Sequence, residues 1–302
     1  MSRQIEQGAD TCVRCGAAFT CRPTDVEHCD CTAVALTLAE TRFIAAQFDA
    51  CLCNACLHQL KEQYASSQKP GALFCWSGGK DSAMALHRVI VENQYEVKYL
   101  LTTVNQSYKR ISMHGVREIL LEAQAEAMGF PLLKVEVSEG SNAEYERQMA
   151  ATLHKAKAEH ITHVIFGDIF LEDLRAYRES NLASLGMTAV FPLWKESTTG
   201  LIHHFIALKF RTLLCCTNDA FLDDSWLGRE IDETFLDALP PNVDPCGENG
   251  EYHTFCFDGP IFRRPIAVKP GETVYKPLDP APAISAEVPV TKGFWFIDLL
   301  PA

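Results

Sequence analysis

The chain reads as an α/β protein: a parallel five-stranded sheet with helices on both faces, a small cysteine-rich module before it and a smaller α/β domain after it. Three observations predict this. Short apolar runs alternate five times with stretches of 3.6-residue periodicity, a glycine-rich loop joins the first run to the first such stretch, and eight of the 13 cysteines lie before residue 57. A length of 302 residues is enough for this much core, and no apolar run is long enough to span a bilayer, so no membrane partner is expected. A formal net charge of -12 repels polyanions and makes nucleic acid a poor candidate partner. Met1 to Glu6 runs into Gly8-Ala9-Asp10 without an apolar targeting core, which predicts a cytoplasmic location.

The elements follow in order. Cys12-Val-Arg-Cys15, Cys21, Cys29-Asp-Cys31 and Cys51-Leu-Cys53-Asn-Ala-Cys56 make a module over 1–68. In a reducing compartment such spacings favour thiolate ligation over disulfides. Eight thiolates fit two closed tetrahedral zinc sites of structural type, with an iron–sulfur or redox use as the alternative, and the spacing leaves open which four sulfurs share each metal. The polar stretch from Lys61 closes in Pro70-Gly71, a linker signal. Strand-like runs then follow at Ala72–Trp76, Tyr99–Val104, Leu132–Val137, Thr162–Phe166 and Met187–Phe191. Between them lie a helix with Ala83, Leu86, Val89 and Ile90 on its buried face, and one from His114 to Met128 with Val116, Ile119, Leu120, Ala123 and Ala127 inward and Gly129 as its stop. Two more are predicted, one from Asn142 with Tyr145, Met149 and Leu153 inward, and one from Leu171 to Leu185 stopping at Gly186. The sheet domain spans 69–194, and 195–302 forms the second domain with a Pro-rich stretch from Pro277 to Pro289.

Trp76-Ser77-Gly78-Gly79-Lys80-Asp81-Ser82 stands between the first strand and the first helix. Two glycines let backbone N–H groups converge, the helix adds the positive end of its dipole, and Lys80 adds a full charge, which together cradle a polyphosphate. A plain glycine turn capped by Asp81 accounts for the glycines and the aspartate but not for the lysine. The run is neither G-x-x-x-x-G-K nor G-x-G-x-x-G.

Ser77-Gly78-Gly79-Lys80-Asp81-Ser82 resembles the PP-loop of the N-type ATP pyrophosphatases. With Gly167-Asp168-Ile169, Arg175, Arg178-Glu179, Gly186, Pro192-Leu193-Trp194 and Cys246 to Phe255, the pattern over about 72–262 resembles the diphthine–ammonia ligase family of ATP-dependent amide synthases. The resemblance implies a Rossmann-like, adenine nucleotide alpha hydrolase-like domain that adenylates a carboxylate, releases pyrophosphate and AMP, and transfers ammonia. ATP and Mg²⁺ would join zinc as the required groups. The partners expected are a small-molecule or modified-residue carboxylate and ammonia or glutamine, with a homodimer as the assembly to test. The expected nucleotide site is Ser77, Gly78, Gly79, Lys80, Asp81, Ser82, Thr103, His114, Gly167 and Asp168. Catalysis is assigned to Lys80, Asp81, Asp168, Arg178 and Glu251, and substrate binding to Arg178, Glu179, Glu248, Asn249, Glu251 and His253. Where the diphthamide enzymes carry Glu-Gly-Gly-Glu-x-Glu-Thr, this chain has Glu248-Asn249-Gly250-Glu251-Tyr252-His253-Thr254, a carboxylate replaced by His253. Two rivals are a PP-loop tRNA sulfurtransferase and a nucleotide-binding zinc or redox sensor without turnover. The first calls for a basic surface and a catalytic cysteine pair in the nucleotide domain, yet no cysteine lies between Cys75 and Cys215.

Overall fold

A computed structural model describes residues 8–22, 25–111, 115–138, 142–278 and 291–302. The chain divides into two compact units, one ending at Lys69 and one beginning at Pro70.

In the first unit, β1 (Gly8–Thr11) and β2 (Ala18–Cys21) pair antiparallel around a turn in which Gly16 takes a left-handed φ of 75°. Two short 3-10 turns lead to α1 (Leu38–Ala45), whose N-terminus is closed by a reciprocal capping box between Thr37 and Glu40, and then to α2 (Asn54–Ser67). Phe19, Val34, Ile44, Leu52, Leu57 and Leu60 pack with Cys12, Cys53 and Cys56 into a small core. So few apolar side chains bury too little surface to hold a module of this length unaided.

The second unit opens with β3 (Gly71–Cys75), α3 (Lys80–Glu92) and β4 (Glu96–Asn105). It continues through β5 (Arg110–Ile111), α4 (Glu118–Met128), β6 (Leu132–Val137), α5 (Asn142–Ala158), β7 (Ile161–Ile165), α6 (Glu172–Ser184) and β8 (Thr188–Val190). The five predicted strands are β3, β4, β6, β7 and β8, parallel in the order β6-β4-β3-β7-β8, and β4 outlasts β3 to pair antiparallel with the two-residue β5. Chain order along the sheet reverses between β3 and β7, the crevice where open α/β sheets bind ligands. One face packs with α3 and α4, while Leu73, Leu101, Val135, Val164 and Phe166 face Leu153 and Ala156 of α5 and Leu182 of α6.

Two details of the predicted helices differ. The helix expected from His114 begins at Glu118, because Gly115 turns at φ 65° and its carbonyl accepts from Arg110, so Arg117 bridges back to Arg110 before the helix starts. The buried stripe takes in Leu120 and Ala127 as expected, with Leu121, Gln124, Ala125 and Met128 beside them, and Ile119 is 55% exposed. Ile90, also expected inward, is exposed near the end of α3.

Downstream come α7 (Thr198–Ala207), capped by Ser197, β9 (Arg211–Asn218), α8 (Glu233–Ala238), capped by Asp232, β10 (Tyr252–Asp258), β11 (Val268–Pro277) and β12 (Gly293–Pro301). These four strands form an antiparallel sheet in the order β10-β9-β12-β11. The Pro-rich stretch beyond Leu278 lies outside the described residues. Phe205, Leu214, Phe235, Tyr252 and Phe255 share one core with Phe74, Trp76, Leu86 and Leu121, so both sheets of this unit are packed as one body. Among the described residues, no helix is long and apolar enough to cross a membrane.

Candidate active site and metal centre

The loop after β3 is held from three directions. Gly78 sits at φ 83°, and a Cβ there would meet Gln124 Oε1 and Leu121 Cδ2 at 2.9 Å, so the position admits only glycine. Gln124, fully buried, accepts from Trp76 Nε1 at 2.8 Å and donates through Nε2 to the Gly78 and Cys256 carbonyls. From β10, the Cys256 N–H donates to the Gly78 carbonyl at 2.8 Å, and Thr254 Oγ1 accepts from the Lys80 N–H at 3.0 Å. Ser77 Oγ accepts from the Gly79 N–H and donates to Ser82 Oγ, which donates to the Gly79 carbonyl. Gly79 thus ends the loop as the N-cap of α3, and the orphan N–H groups of the first turn add to the positive dipole end.

Lys80 is only 3% exposed, and its Nζ lies 2.9 and 2.8 Å from the two oxygens of Asp81 and 5.5 Å from the centre of the Tyr252 ring. Burial alone would disfavour the ammonium, but Asp81 and the acidic groups around it reverse the sign and hold the pKa above the ordinary lysine value. The stem is therefore enclosed by the protein, and a small cavity beside it is lined by Lys80, Asp81, Met84, Leu193, Phe205 and Cys246.

Across the reversal in strand order, Gly167 and Asp168 follow β7. A Cβ on Gly167 would meet the Ser82 N at 3.0 Å and its Cα at 3.1 Å, so here glycine permits a close approach of the two loops. Asp168 Oδ2 lies 3.0 Å from Arg178 Nη1, and the Arg178 guanidinium rests 4.1 Å from the Phe166 ring centre. Burial raises the Asp168 pKa and Asp81 adds to the rise, against the pull of Arg178. Although paired by charge, Oδ2 is buried without an aligned hydrogen bond.

The loop before β10 supplies Glu248, half-buried, whose pKa is pushed up to about 7 by burial first and then by Asp81, Asp244 and Asp168, with Lys80 opposing. Lys80, Asp81, Asp168 and Glu248 therefore share one electrostatic neighbourhood with Arg178 at its edge. Cys246, also lining the cavity, has its thiol pushed up to about 12 by burial, so it stays protonated at neutral pH.

The remaining expected residues stand elsewhere. Glu251 is fully buried: its oxygens accept from the Asp244 N–H, the Asn249 N–H and the Asn249 side-chain amide, each at 2.9 Å. Its carboxylate braces the loop from within, so the structure puts it behind the site instead of at its mouth, and exposed Asn249 is part of that brace. Glu179 pairs with Arg175 at 2.7 Å one turn away, not with Arg178. Thr103 is half-buried near the end of β4, in register with Val135, and His253 is half-buried in β10 opposite Cys216. His114 lies outside the described residues. Gln124, Thr254 and Asp244 escaped the sequence reading. The signal for Gln124 was a polar residue among the apolar positions of α4.

In the first unit, all thirteen cysteines of the chain being free thiols, one group of four stands out among the described residues. The sulfurs of Cys12, Cys15, Cys53 and Cys56 all lie within 4.8 Å of one another. Burial opposes the Cys12 thiolate, but N–H groups of Cys53, Cys15 and Arg14 bring its pKa down to about 6. An all-sulfur set of this kind suits a closed tetrahedral metal site.

Residues 71–189 match the diphthamide synthase N-terminal domain, 197–281 the diphthamide synthase C-terminal domain, and 12–58 the cysteine-rich CWC domain. Diphthine–ammonia ligase of Rattus norvegicus is 28% identical over 232 residues, 67% of this chain and 84% of that protein. The Homo sapiens enzyme is 27% identical over 233 residues with the same coverage. That of Danio rerio is 29% identical over 167 residues, so the match spans 50% of this chain and 65% of its relative. With both domains in succession on one packed body, the chain belongs to the diphthamide synthase family, that of the diphthine–ammonia ligases.

Proposed function

We propose that the protein is an ATP-dependent, amide-forming ligase that activates a carboxylate as its adenylate, releases pyrophosphate, and passes the acyl group to ammonia. Family homology supports the ATP-dependent ligase, and the finer step rests on one observation: Ser77–Ser82 joins β3 to α3 at the point where strand order reverses, with Asp168 following the neighbouring strand β7 and Arg178 reaching it from α6.

A carboxylate does not react with ammonia at neutral pH because its carbonyl is electron-rich and its oxygen a poor leaving group. Adenylation supplies the leaving group, and the attack at the α-phosphorus needs positive charge on the phosphates and an in-line geometry. The α3 N-terminus, Lys80, Ser77 and Ser82 suit the polyphosphate, and Gly78 and Gly79 allow its close approach. Arg178 suits the α-phosphate or the substrate carboxylate. For Mg²⁺ the fitting residues are Asp81 and Asp168, since Asp168 Oδ2 is a buried oxygen without an aligned hydrogen bond. When bound, the ion would supply charge neutralisation across the phosphates. Glu248, with a pKa near neutrality, suits the proton that ammonia loses on attack. Glu251 and Asn249 shape the loop that presents Glu248.

His253 stands where the diphthamide motif has a carboxylate, which weakens attraction for a cationic acyl substrate and suits a neutral or anionic acid. The acyl substrate in this reading is a small-molecule carboxylic acid, the amine source ammonia or glutamine, and the first tetrathiolate group holds structural zinc in a reducing cytoplasm. The rival sulfurtransferase is disfavoured: Cys75, half-buried on β3, has its thiol held up near 12 by burial. A screen of metabolite carboxylates, corrinoid acids included, tests the assignment through pyrophosphate release with ammonia. Stimulation by a small acid supports it, and stimulation only by a diphthine-bearing protein replaces the substrate class.

A further inference from the structure

The group formed by Cys12, Cys15, Cys53 and Cys56 leaves four cysteines of the module unused. Cys21 ends β2, Cys29 and Cys31 flank the start of a 3-10 turn, and Cys51 stands three residues before α2. Scattered over thirty residues of sequence, they meet in space. Cys21 Sγ is 3.9 Å from Cys51 Sγ, and Cys31 Sγ is 3.2 Å from Cys29 Sγ. The two pairs are brought together by β2, since Cys29 Sγ lies 3.9 Å from the carbonyl of Thr20, the residue before Cys21.

Metal–sulfur bonds of about 2.3 Å place tetrahedral ligands roughly 3.8 Å apart, whereas disulfide sulfurs stand about 2.05 Å apart. The observed separations bracket the tetrahedral edge.

We propose that Cys21, Cys29, Cys31 and Cys51 form a second closed tetrathiolate site, nested in sequence inside the first, for a soft divalent ion of the zinc class. Ion binding converts four thiols to thiolates, releases four protons, and leaves a site of net charge -2. With all four positions filled by sulfur, no position remains for a substrate, so the ion is structural. It ties the end of β2 and the 3-10 turn to the approach of α2, while the first site ties the hairpin turn to the start of α2. The two sites differ in access. Cys12, Cys53 and Cys56 are buried in the first, whereas Cys51 is exposed and Cys21 and Cys31 are half-buried in the second. The second site should therefore surrender its ion to a chelator first.

The test uses the full chain purified without added metal, analysed by elemental mass spectrometry and by cobalt titration of the stripped protein. Two ions per chain are expected, falling to one in the Cys29→Ser/Cys31→Ser variant. Should that variant shed both ions, the wild-type titration decides: tetrathiolate cobalt bands that grow up to two equivalents uphold the site. Saturation at one equivalent, or a disulfide found among these four cysteines by intact mass, overturns it.

Discussion

Lys80, paired with Asp81, and Glu248, within electrostatic reach of both, are the two titratable groups of the candidate site most altered by burial. Lys80 is enclosed along its whole length, so Lys80→Ala would open a hole as well as remove the partner of Asp81, whereas Lys80→Met removes the charge alone and fills the same space. The expected result for Lys80→Met is a fall in AMP formation of about 10²–10³-fold with the fold retained, the scale of losing one preorganised charge at a transition state. Parallel activity and thermal-unfolding measurements check it, and full turnover in the variant would contradict the loop's role. Glu248 gives a pH signature. Its pKa in the fold, about 7, lies above the ordinary 4.5, so the native state binds its proton more tightly than the unfolded chain does. Its contribution is thus full below about 4.5 and is lost as pH rises through 7, by up to about 3 kcal/mol. Denaturant unfolding from pH 4.5 to 8 should show this decline in the wild type and a flatter profile in Glu248→Gln. Identical slopes would show that Glu248 is not held as described.

At the scale of elements, the connection between the loop and β10 carries the geometry. Gln124→Leu removes the acceptor of Trp76 Nε1 and a donor to the Gly78 and Cys256 carbonyls, while the Gly78 carbonyl keeps the Cys256 N–H. The expected cost is about 2 kcal/mol, or a melting temperature lower by roughly 6 °C for a unit of this size. Calorimetry checks it, and a change under a degree would contradict the bracing role. Gly167→Ala tests the other side of the crevice: its Cβ meets the Ser82 backbone, which cannot move without shifting the N-terminus of α3, so a loss of about 1–3 kcal/mol is expected together with weaker ATP binding. The parallel strands and the loop were legible because each is local: a continuous apolar run, or six adjacent residues between a run and a helix. The start of α4 was not, because Gly115 and the Arg110 hydrogen bond that unwinds the expected first turn act through chain geometry that apolar spacing does not record. The brace made by Glu251 was hidden for a related reason. In sequence it is an acidic residue of a glycine-rich loop, and only folding shows its oxygens satisfied by Asp244 and Asn249 from inside. Gln124 belongs to the same class, a polar side chain whose partners are 46 and 132 residues away.

At the scale of the molecule, two compact units carry different groups: free thiols gathered as a metal site would need in one, and a glycine-rich loop shared between two sheets in the other. The second sheet is no separate appendage to the first, since β10 supplies Thr254 and the Cys256 N–H to the loop itself, and Asp298 of β12 holds Arg110 and Arg117 beside α4. In the proposed reaction, that continuity lets residues of the later sheet act on a phosphate held at the loop. The central claim is cleavage of ATP between the α and β phosphates, coupled to amide formation. Phosphorus NMR of a reaction with ATP, Mg²⁺, ammonia and an accepted carboxylic acid measures it directly. AMP and pyrophosphate in equal amounts, each dependent on the acid and matched by amide product, are predicted, and ADP with inorganic phosphate as the products would contradict the account.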